Sequence, residues 1–138
     1  MYLDTCILTK LFVPEVDSEA YATRTEESVL VTSELAYAEI YSSFLRKERL
    51  GEITRVQRET AWARFERQIQ VRSLYLAPLN GAIVRKARDL MHDVHPHVPL
   101  RTLDSIHLAT YLSVLSGPFL TNDRRMREAA TLLEISLA

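Results

Sequence analysis

Cysteine is nearly absent from this sequence, and its scarcity excludes a class of fold. The chain has one cysteine in 138 residues, Cys6, so no internal disulfide can form. Small secreted domains with too little apolar core usually depend on disulfides. A chain of this length can bury roughly two-thirds of its unfolded surface, so it needs neither disulfides nor a structural metal to fold. We therefore expect residues 1–138 to form a single domain, in a reducing compartment such as the cytoplasm.

Long apolar runs and an excess of charge are also missing. No run of about 20 apolar residues occurs, which is the length that spans a membrane. The segment from Met1 to Asp4 carries a charge and lacks the basic and then apolar pattern of a signal peptide. Lys and Arg number 17 and Asp and Glu 18, so the net charge of -1 excludes nucleic-acid binding by bulk positive charge. These features predict a cytoplasmic protein without a membrane partner, in which basic residues can still act locally.

Short apolar runs alternate with longer helical patterns, and only 3 Gly and 5 Pro interrupt them. The patterns predict strands at residues 1–3, 29–31, 74–76, 119–121 and 134–137. They predict helices at residues 5–12, 33–50, 54–71, 80–94, 102–116 and from 123 onward. Gly51 is a natural helix stop, and the prolines of residues 95–99 predict a loop. Strands that alternate with helices indicate an α/β fold with a central, mostly parallel sheet of four or five strands.

Acidic residues follow the predicted strands where parallel sheets bind their ligands. Asp4 follows the first strand, and Asp123 lies just after the strand of residues 119–121. Because ligands bind at the carboxyl ends of parallel strands, we expect both acids at one edge of the sheet. Asp104 falls in the first turn of a helix, on its apolar side. The alternative is that each aspartate only caps a helix, since Asp is a favoured N-cap residue.

Glu39 cannot be a cap, because it lies in the middle of a predicted helix. It lies beside a stripe of apolar and small residues that we expect to face inward, formed by Leu35, Ala38, Ser42 and Leu45. A carboxylate beside an inward face is unfavourable unless a group such as a cation compensates it. The alternative is that the stripe is misplaced and Glu39 lies on the surface. Together, the four acids suggest a carboxylate site that a cation could compensate.

Four segments carry these acids and resemble the motif blocks of one family in the same order. They are residues 2–15, 32–40, 100–110 and 119–130, with Asp4, Glu39, Asp104 and Asp123. The sequence resembles PIN-domain ribonucleases, specifically the VapC-type toxins of bacterial and archaeal toxin–antitoxin pairs. The resemblance implies a three-layer α/β/α sandwich in which the four acids are the catalytic and metal-binding residues. One departure is Cys6, which stands where the family usually has Ser, and a thiol is a poorer hydrogen-bond partner.

The same resemblance implies a Mg²⁺- or Mn²⁺-dependent endoribonuclease that leaves a 5′-phosphate and a 3′-hydroxyl. Asp4 and Asp104 would bind the principal ion, while Glu39 would orient the attacking water or bind a second ion. Asp123 would complete the site. The residues expected to support the acids are Thr5, Cys6, Thr121, Asn122 and His107. A homodimer and a VapB-type antitoxin, whose C-terminal segment fills the groove beside the acids, are also implied.

Basic residues near the acids are candidates for RNA contact. Three of them flank the acids in sequence: Arg101, Arg124 and Arg125. A second set lies on the two long predicted helices: Arg46, Lys47, Arg49, Arg55, Arg58, Arg64, Arg67 and Arg72. Glutamates are interleaved with the second set at ion-pair spacing, which favours a solvated surface for most of it. The same surface could instead bind the partner protein.

Several other interpretations stay open at this stage. His92, His95 and His97 could bind a transition metal, although their spacing fits no metalloprotease helix. His107 is interpreted as a helix-face residue near Asp104, which it could orient by a hydrogen bond. The chain could be an inactive PIN-like binding module or an RNA-processing nuclease without an antitoxin. A DNA or flap nuclease would need an additional helical arch for which this chain is short.

Overall fold

A computed structural model describes residues 1–114 and 117–138, and each strand in these ranges is followed by one or two helices. The strands are β1 (Tyr2–Leu3), β2 (Leu30–Ser33), β3 (Leu74–Ala77) and β4 (Phe119–Leu120). The helices are α1 (Thr5–Phe12), α2 (Ser18–Thr25), α3 (Leu35–Arg49), α4 (Arg55–Gln70), α5 (Gly81–Val94), α6 (Thr102–Val114) and α7 (Arg124–Leu132). The strands pair in parallel in the order β3-β2-β1-β4. The predicted α/β fold with a parallel sheet is confirmed.

Two elements differ from the predictions. Helix α2 was not predicted because it has no apolar stripe, and Thr25 is the one residue it buries. The predicted strand at residues 134–137 is reduced to an isolated parallel bridge between Leu137 and Phe119. The predicted end of the α6 pattern, near Ser116, lies outside the described residues.

Side chains of the short strands alternate between two apolar cores, one on each face of the sheet. Tyr2 and Phe119 belong to the core that contains buried residues of α5, α6 and α7. Leu3 and Leu120 belong to the other core, with buried residues of α1, α3 and α4. A parallel sheet that is covered on both faces by helices forms the middle of three layers. The expected α/β/α sandwich follows from this alternation.

Local sequence signals set the ends of several helices. Thr54 and Gln57 form a reciprocal capping box before α4, and Asn80 accepts hydrogen bonds from the first amides of α5. Gly51 follows the end of α3 with a φ of 73°, a conformation that favours glycine, so the predicted helix stop is confirmed.

The length of the helices bears on membrane insertion, and helix α4 has 16 residues. Within the two described ranges, no helix is both long and apolar enough to cross a membrane.

Candidate active site

The carboxyl ends of β1 and β4 bring two of the predicted acids to one edge of the sheet. These strands pair in parallel with Leu3 opposite Leu120, so Asp4 and Thr121 follow side by side. The Thr121 hydroxyl donates a hydrogen bond to Oδ2 of Asp4. The backbone N–H of Asp123 donates to the same hydroxyl oxygen at 3.0 Å. One threonine therefore links the two acids.

All four predicted acids line one cavity of about 480 Å³. Asp4 and Asp123 lie at the N-termini of α1 and α7. Asp104 lies in the first turn of α6, and Glu39 projects from the middle of α3. The fold thus gathers into one pocket four carboxylates that are far apart in the sequence.

Two of these acids also cap helices, as the alternative interpretation held. Asp4 accepts from the amide of Ile7 at 3.1 Å, and Asp123 accepts from the amide of Met126 at 3.0 Å, each through Oδ1. Asp104 is different: its Oδ2 is buried and has no hydrogen-bond partner among the described residues. A buried acceptor without a partner is unfavourable by about 1–3 kcal/mol, and more if it is charged. A cation in the cavity would satisfy this oxygen.

The surroundings of Asp4 and Asp104 oppose their ionisation. Burial raises the pKa of Asp4, which is 3% exposed, although the nearby Cys6 thiol and the Thr121 hydroxyl offset part of this effect. Burial also raises the pKa of Asp104, and the charge of Asp123 raises it further. A divalent cation would relieve both the desolvation and the repulsion between carboxylates. This part of the cavity therefore has the electrostatic character of a metal site.

Glu39 lies in a different environment, at the centre of a chain of hydrogen bonds. Its Oε2 is 2.8 Å from Nε2 of His107 and accepts from the Thr5 hydroxyl at 2.5 Å. Nδ1 of His107 is 3.0 Å from the Tyr2 hydroxyl. Because a carboxylate only accepts, Nε2 of His107 carries a proton, and in the neutral ring Nδ1 accepts from Tyr2.

The pKa of Glu39 shifts in the opposite direction to those of the two aspartates. Burial raises this pKa, but the hydrogen bond and charge of His107, together with the Thr5 hydroxyl, outweigh the burial and lower it overall. Burial raises the pKa of the Tyr2 hydroxyl, so this group stays protonated as a donor. Glu39 is therefore held as a carboxylate by the protein itself.

Two expectations about α3 and α6 are wrong in detail. The buried residues of α3 are Ala36, Ile40 and Phe44, whereas Ala38 and Ser42 of the expected stripe are exposed. An error of one residue rotates a helical stripe by about 100°. Glu39 consequently lies at the border of the core and faces the cavity, with 21% of its side chain exposed. His107 bonds Glu39 rather than Asp104.

The remaining supporting residues have distinct surroundings. Cys6 lines the cavity, and burial together with the Asp4 charge raises the pKa of its thiol. It is therefore a protonated thiol and not a nucleophile. Asn122 is exposed, and its backbone rather than its side chain contacts the Cys6 thiol. These two positions support the acids less directly than Thr5, Thr121 and His107 do.

The arginines that line the cavity are only partly those that the sequence suggests as RNA contacts. Arg101 lines the cavity, and its charge lowers the pKa of Asp104. Arg124 is 87% exposed and lies 3.7 Å from Glu128, and neither it nor Arg125 lines the cavity. Arg46, which sequence reasoning grouped with the solvated basic residues, does line it.

The donor set can be compared with the requirements of a hard cation. In residues 1–114 and 117–138, no three His, Cys, Asp or Glu side chains are arranged to enclose an ion. Mg²⁺ typically keeps several waters and uses one or two carboxylates, so it does not require such an enclosure. Asp104 and Asp4 fit this mode of binding. The candidate transition-metal ligands are exposed: His92, His95 and His97.

Known proteins resemble this chain in sequence and in fold. Residues 1–132 match the PIN domain family. The chain is 34% identical over 141 residues to Ribonuclease VapC46 of Mycobacterium tuberculosis (strain ATCC 25618 / H37Rv). The aligned region covers 99% of this chain and 95% of the relative. A solved structure, a toxin-antitoxin complex from Klebsiella pneumoniae, shares the fold with a TM-score of 0.58 and 16% identity, covering 88% of this chain and 85% of that one. The chain belongs to the PIN domain family. Its resemblance to the VapC-type members is confirmed.

Proposed function

We propose that this chain is a divalent-metal-dependent endoribonuclease and the toxin of a toxin–antitoxin pair. The observation that carries the proposal is the gathering of Asp4, Glu39, Asp104 and Asp123 around one cavity, with a buried Asp104 oxygen that lacks a hydrogen-bond partner among the described residues. Two similarities support it: a relative is named a ribonuclease, and a structure with the same fold is that of a toxin-antitoxin complex.

Mg²⁺ or Mn²⁺ suits the donors at this site, because hard cations prefer carboxylate oxygens. Asp104 and Asp4 would hold the principal ion, and Asp123 would complete the acidic cluster. When bound, the ion neutralises charge on the phosphate and makes water a better nucleophile near neutral pH. The carboxylates of Asp4 and Asp123 cap helices but each keeps free lone pairs, so helix capping is compatible with binding of the ion.

Glu39 would act on the attacking water. Its Oε2 is occupied by Thr5 and His107, while its Oε1 has no hydrogen bond to any residue of the described ranges. As a carboxylate, Glu39 can accept a hydrogen bond from water at Oε1 and orient it toward phosphorus. The new bond joins the water oxygen to phosphorus, the bond from phosphorus to the 3′-oxygen breaks, and the 3′-oxygen takes a proton. The products carry a 5′-phosphate and a 3′-hydroxyl.

Cleavage of end-labelled RNA by the purified chain tests this function. We expect cleavage with Mg²⁺ or Mn²⁺, none in EDTA, and ligatable 5′-phosphate ends. Asp104→Asn should reduce the rate by about 100-fold or more, because it removes a metal ligand. The matched control is Asp93→Asn, which changes an exposed carboxylate on α5 and should cleave like the wild type. Cleavage that persists in EDTA, or an Asp104→Asn variant of wild-type rate, would contradict the proposal.

We also propose that residues 1–138 act as one PIN domain in the cytoplasm, as a homodimer that a VapB-type antitoxin inhibits. Light scattering of the purified chain measures the oligomeric state, and a monomeric mass would contradict the dimer. Growth arrest on expression, relieved by co-expression of a small protein encoded by a neighbouring gene, is the expected sign of an antitoxin. RNA cleavage without growth arrest would instead indicate a processing nuclease.

A further inference from the structure

A row of polar side chains on α3 leads away from the acidic site. Ser42 and Ser43 lie three and four residues after Glu39, and Arg46 lies four and three residues after them, so the four side chains share one face of the helix. All four line the same cavity. Arg46 lies seven positions after Glu39, which corresponds to about 10 Å along the helix axis.

A second cavity, of about 230 Å³, continues from the first. The two cavities share four lining residues: Cys6, Thr9, Ser43 and Arg46. They therefore form one groove, with the carboxylates in its first part and Arg46 at the junction. A linear ligand that reaches the acids can continue along this groove.

Arg46 differs from Lys10 and Lys47, the other basic residues of the second cavity, in its ion pairing. Lys10 lies 2.5 Å from Asp17, and Lys47 lies 2.9 Å from Glu52. Arg46 forms no salt bridge with any residue in the described part of the chain. A ligand anion can therefore bind Arg46 without first displacing a carboxylate, which is not the case for either lysine.

Two hydroxyl groups add donors beside this guanidinium. The Ser43 hydroxyl lies 3.4 Å from that of Thr9, whose own proton is donated to the Thr5 carbonyl at 2.9 Å, so Ser43 is held among the described residues by one long hydrogen bond to Thr9. The exposed Ser42 also makes no side-chain hydrogen bond within those residues. A guanidinium with neighbouring O–H donors matches the charge and geometry of a phosphate group.

We propose that Arg46, together with Ser42 and Ser43, binds a backbone phosphate of the RNA next to the phosphate that is cleaved. This inference rests on the proposed function, because it requires an RNA strand in the carboxylate site. With the scissile phosphate at the acids, the strand extends along α3 toward the second cavity, and Arg46 holds it there. Arg101 lines the first cavity but not the second, so the two arginines contact different parts of the strand.

The test is the salt dependence of RNA binding in EDTA, where cleavage is stopped. Fluorescence anisotropy of a labelled single-stranded RNA gives Kd at a series of KCl concentrations. We expect Arg46→Ala to weaken binding about tenfold and to reduce the slope of log K against log[KCl] by about 0.7, the value for one lost phosphate contact on a single strand. Arg46→Lys should keep the slope and recover part of the affinity, since it keeps the charge but loses the planar fork.

Arg67→Ala is the matched control, because it removes the same charge from an exposed position on α4 outside both cavities. It should leave the slope at the wild-type value. Equal slopes for Arg46→Ala and Arg67→Ala would overturn the inference and leave the proposed nuclease intact. Absence of both RNA binding and cleavage in the wild type would overturn both. With Mg²⁺ present, Arg46→Ala should raise KM, whereas Asp104→Asn should slow cleavage by about 100-fold or more. In EDTA, Asp104→Asn should keep the wild-type salt slope.

Discussion

Replacement of Asp104 by Asn should stabilise the protein in EDTA, although it should abolish activity. The wild-type carboxylate is half-buried, one of its oxygens has no partner among the described residues, and Asp123 and Asp4 lie close enough to disfavour its charge. Asn has nearly the same shape and no charge. The substitution therefore removes the repulsion and the desolvation of an anion while it preserves packing.

The size of this effect follows from the unsatisfied oxygen. Asn leaves a neutral amide atom in the same place, so the substitution removes only the additional cost of a charged group without a partner, and solvent screening at a half-buried group keeps this cost small. We expect Asp104→Asn to raise the free energy of unfolding by about 1 kcal/mol at pH 7. For a domain of this size, this increase corresponds to a rise in Tm of about 3–5 °C.

The stabilisation should depend on pH with a defined sign. The ordinary pKa of the Asp104 carboxyl is 3.8, and the pKa in the folded protein is higher. Below pH 3.8 the group is protonated in both the folded and the unfolded state, so the two proteins differ least there. As the pH rises through the folded-state pKa, the unfolded chain releases its proton more readily and the wild type loses stability. Asp104→Asn has no such loss, so the difference in the free energy of unfolding between the two proteins should grow from pH 3.8 up to the folded-state pKa of Asp104. Above that pKa the difference should stay constant.

Urea denaturation in EDTA at several pH values measures this difference. Asp93→Asn, at an exposed carboxylate on α5, is the control and should change stability little at any pH. Added Mn²⁺ should reverse the order, because a ligand at 100 times its Kd stabilises the folded wild type by about 2.7 kcal/mol and should stabilise Asp104→Asn less. An Asp104→Asn protein that is less stable than the wild type in EDTA at pH 7 would refute the reasoning.

Three further predictions concern the residues around the acids. Tyr2→Phe should lower the free energy of unfolding by about 1–3 kcal/mol in urea denaturation, because it leaves Nδ1 of the buried His107 without a partner while the ring packing is kept. Cys6→Ser should raise the rate of RNA cleavage a few-fold, since a hydroxyl donates to the site more strongly than a thiol; an unchanged rate would show that the thiol is not limiting. Thr121→Val should weaken Mn²⁺ binding in calorimetry because it removes the hydroxyl that bonds Asp4, and Thr121→Ser should restore the affinity.

The fold was largely predictable because its strands are buried on both faces and therefore appear as apolar runs in the sequence. Leu3 and Leu120 end two such runs, and each run is followed by an aspartate that caps the next helix. Helix α2 could not be predicted in the same way, because it buries one residue and leaves no periodic pattern. At the other end of the chain, apolar residues near 134–137 make a single bridge instead of a strand, a distinction that depends on tertiary pairing.

The four acids of the candidate site could be predicted from the sequence, but the hydrogen bonds between the site residues could not. Strand order placed Asp4 and Asp123 at one edge, yet the sequence could not distinguish these capping aspartates from Asp104, whose Oδ2 has no hydrogen-bond partner in residues 1–114 and 117–138. The contact between Tyr2 and His107 joins residues 105 positions apart, so no local spacing reports it. One signal was available: a tyrosine in a buried strand needs a hydrogen-bond partner for its hydroxyl.

The opposite pKa shifts of the acids distinguish two kinds of carboxylate in the site. Asp4 and Asp104 have raised pKa values, chiefly because they are buried, and a bound cation would favour their ionised forms. Glu39 has a lowered pKa because His107 and Thr5 compensate its burial. Environments that shift the pKa values of neighbouring carboxyl groups in opposite directions assign them different chemical tasks.

We therefore expect Glu39→Gln to lower kcat strongly, while its Mn²⁺ affinity, measured by titration, changes less than threefold. Asp104→Asn should lose both activity and Mn²⁺ affinity. A large loss of Mn²⁺ affinity in Glu39→Gln would show instead that Glu39 is a direct ligand of the principal ion.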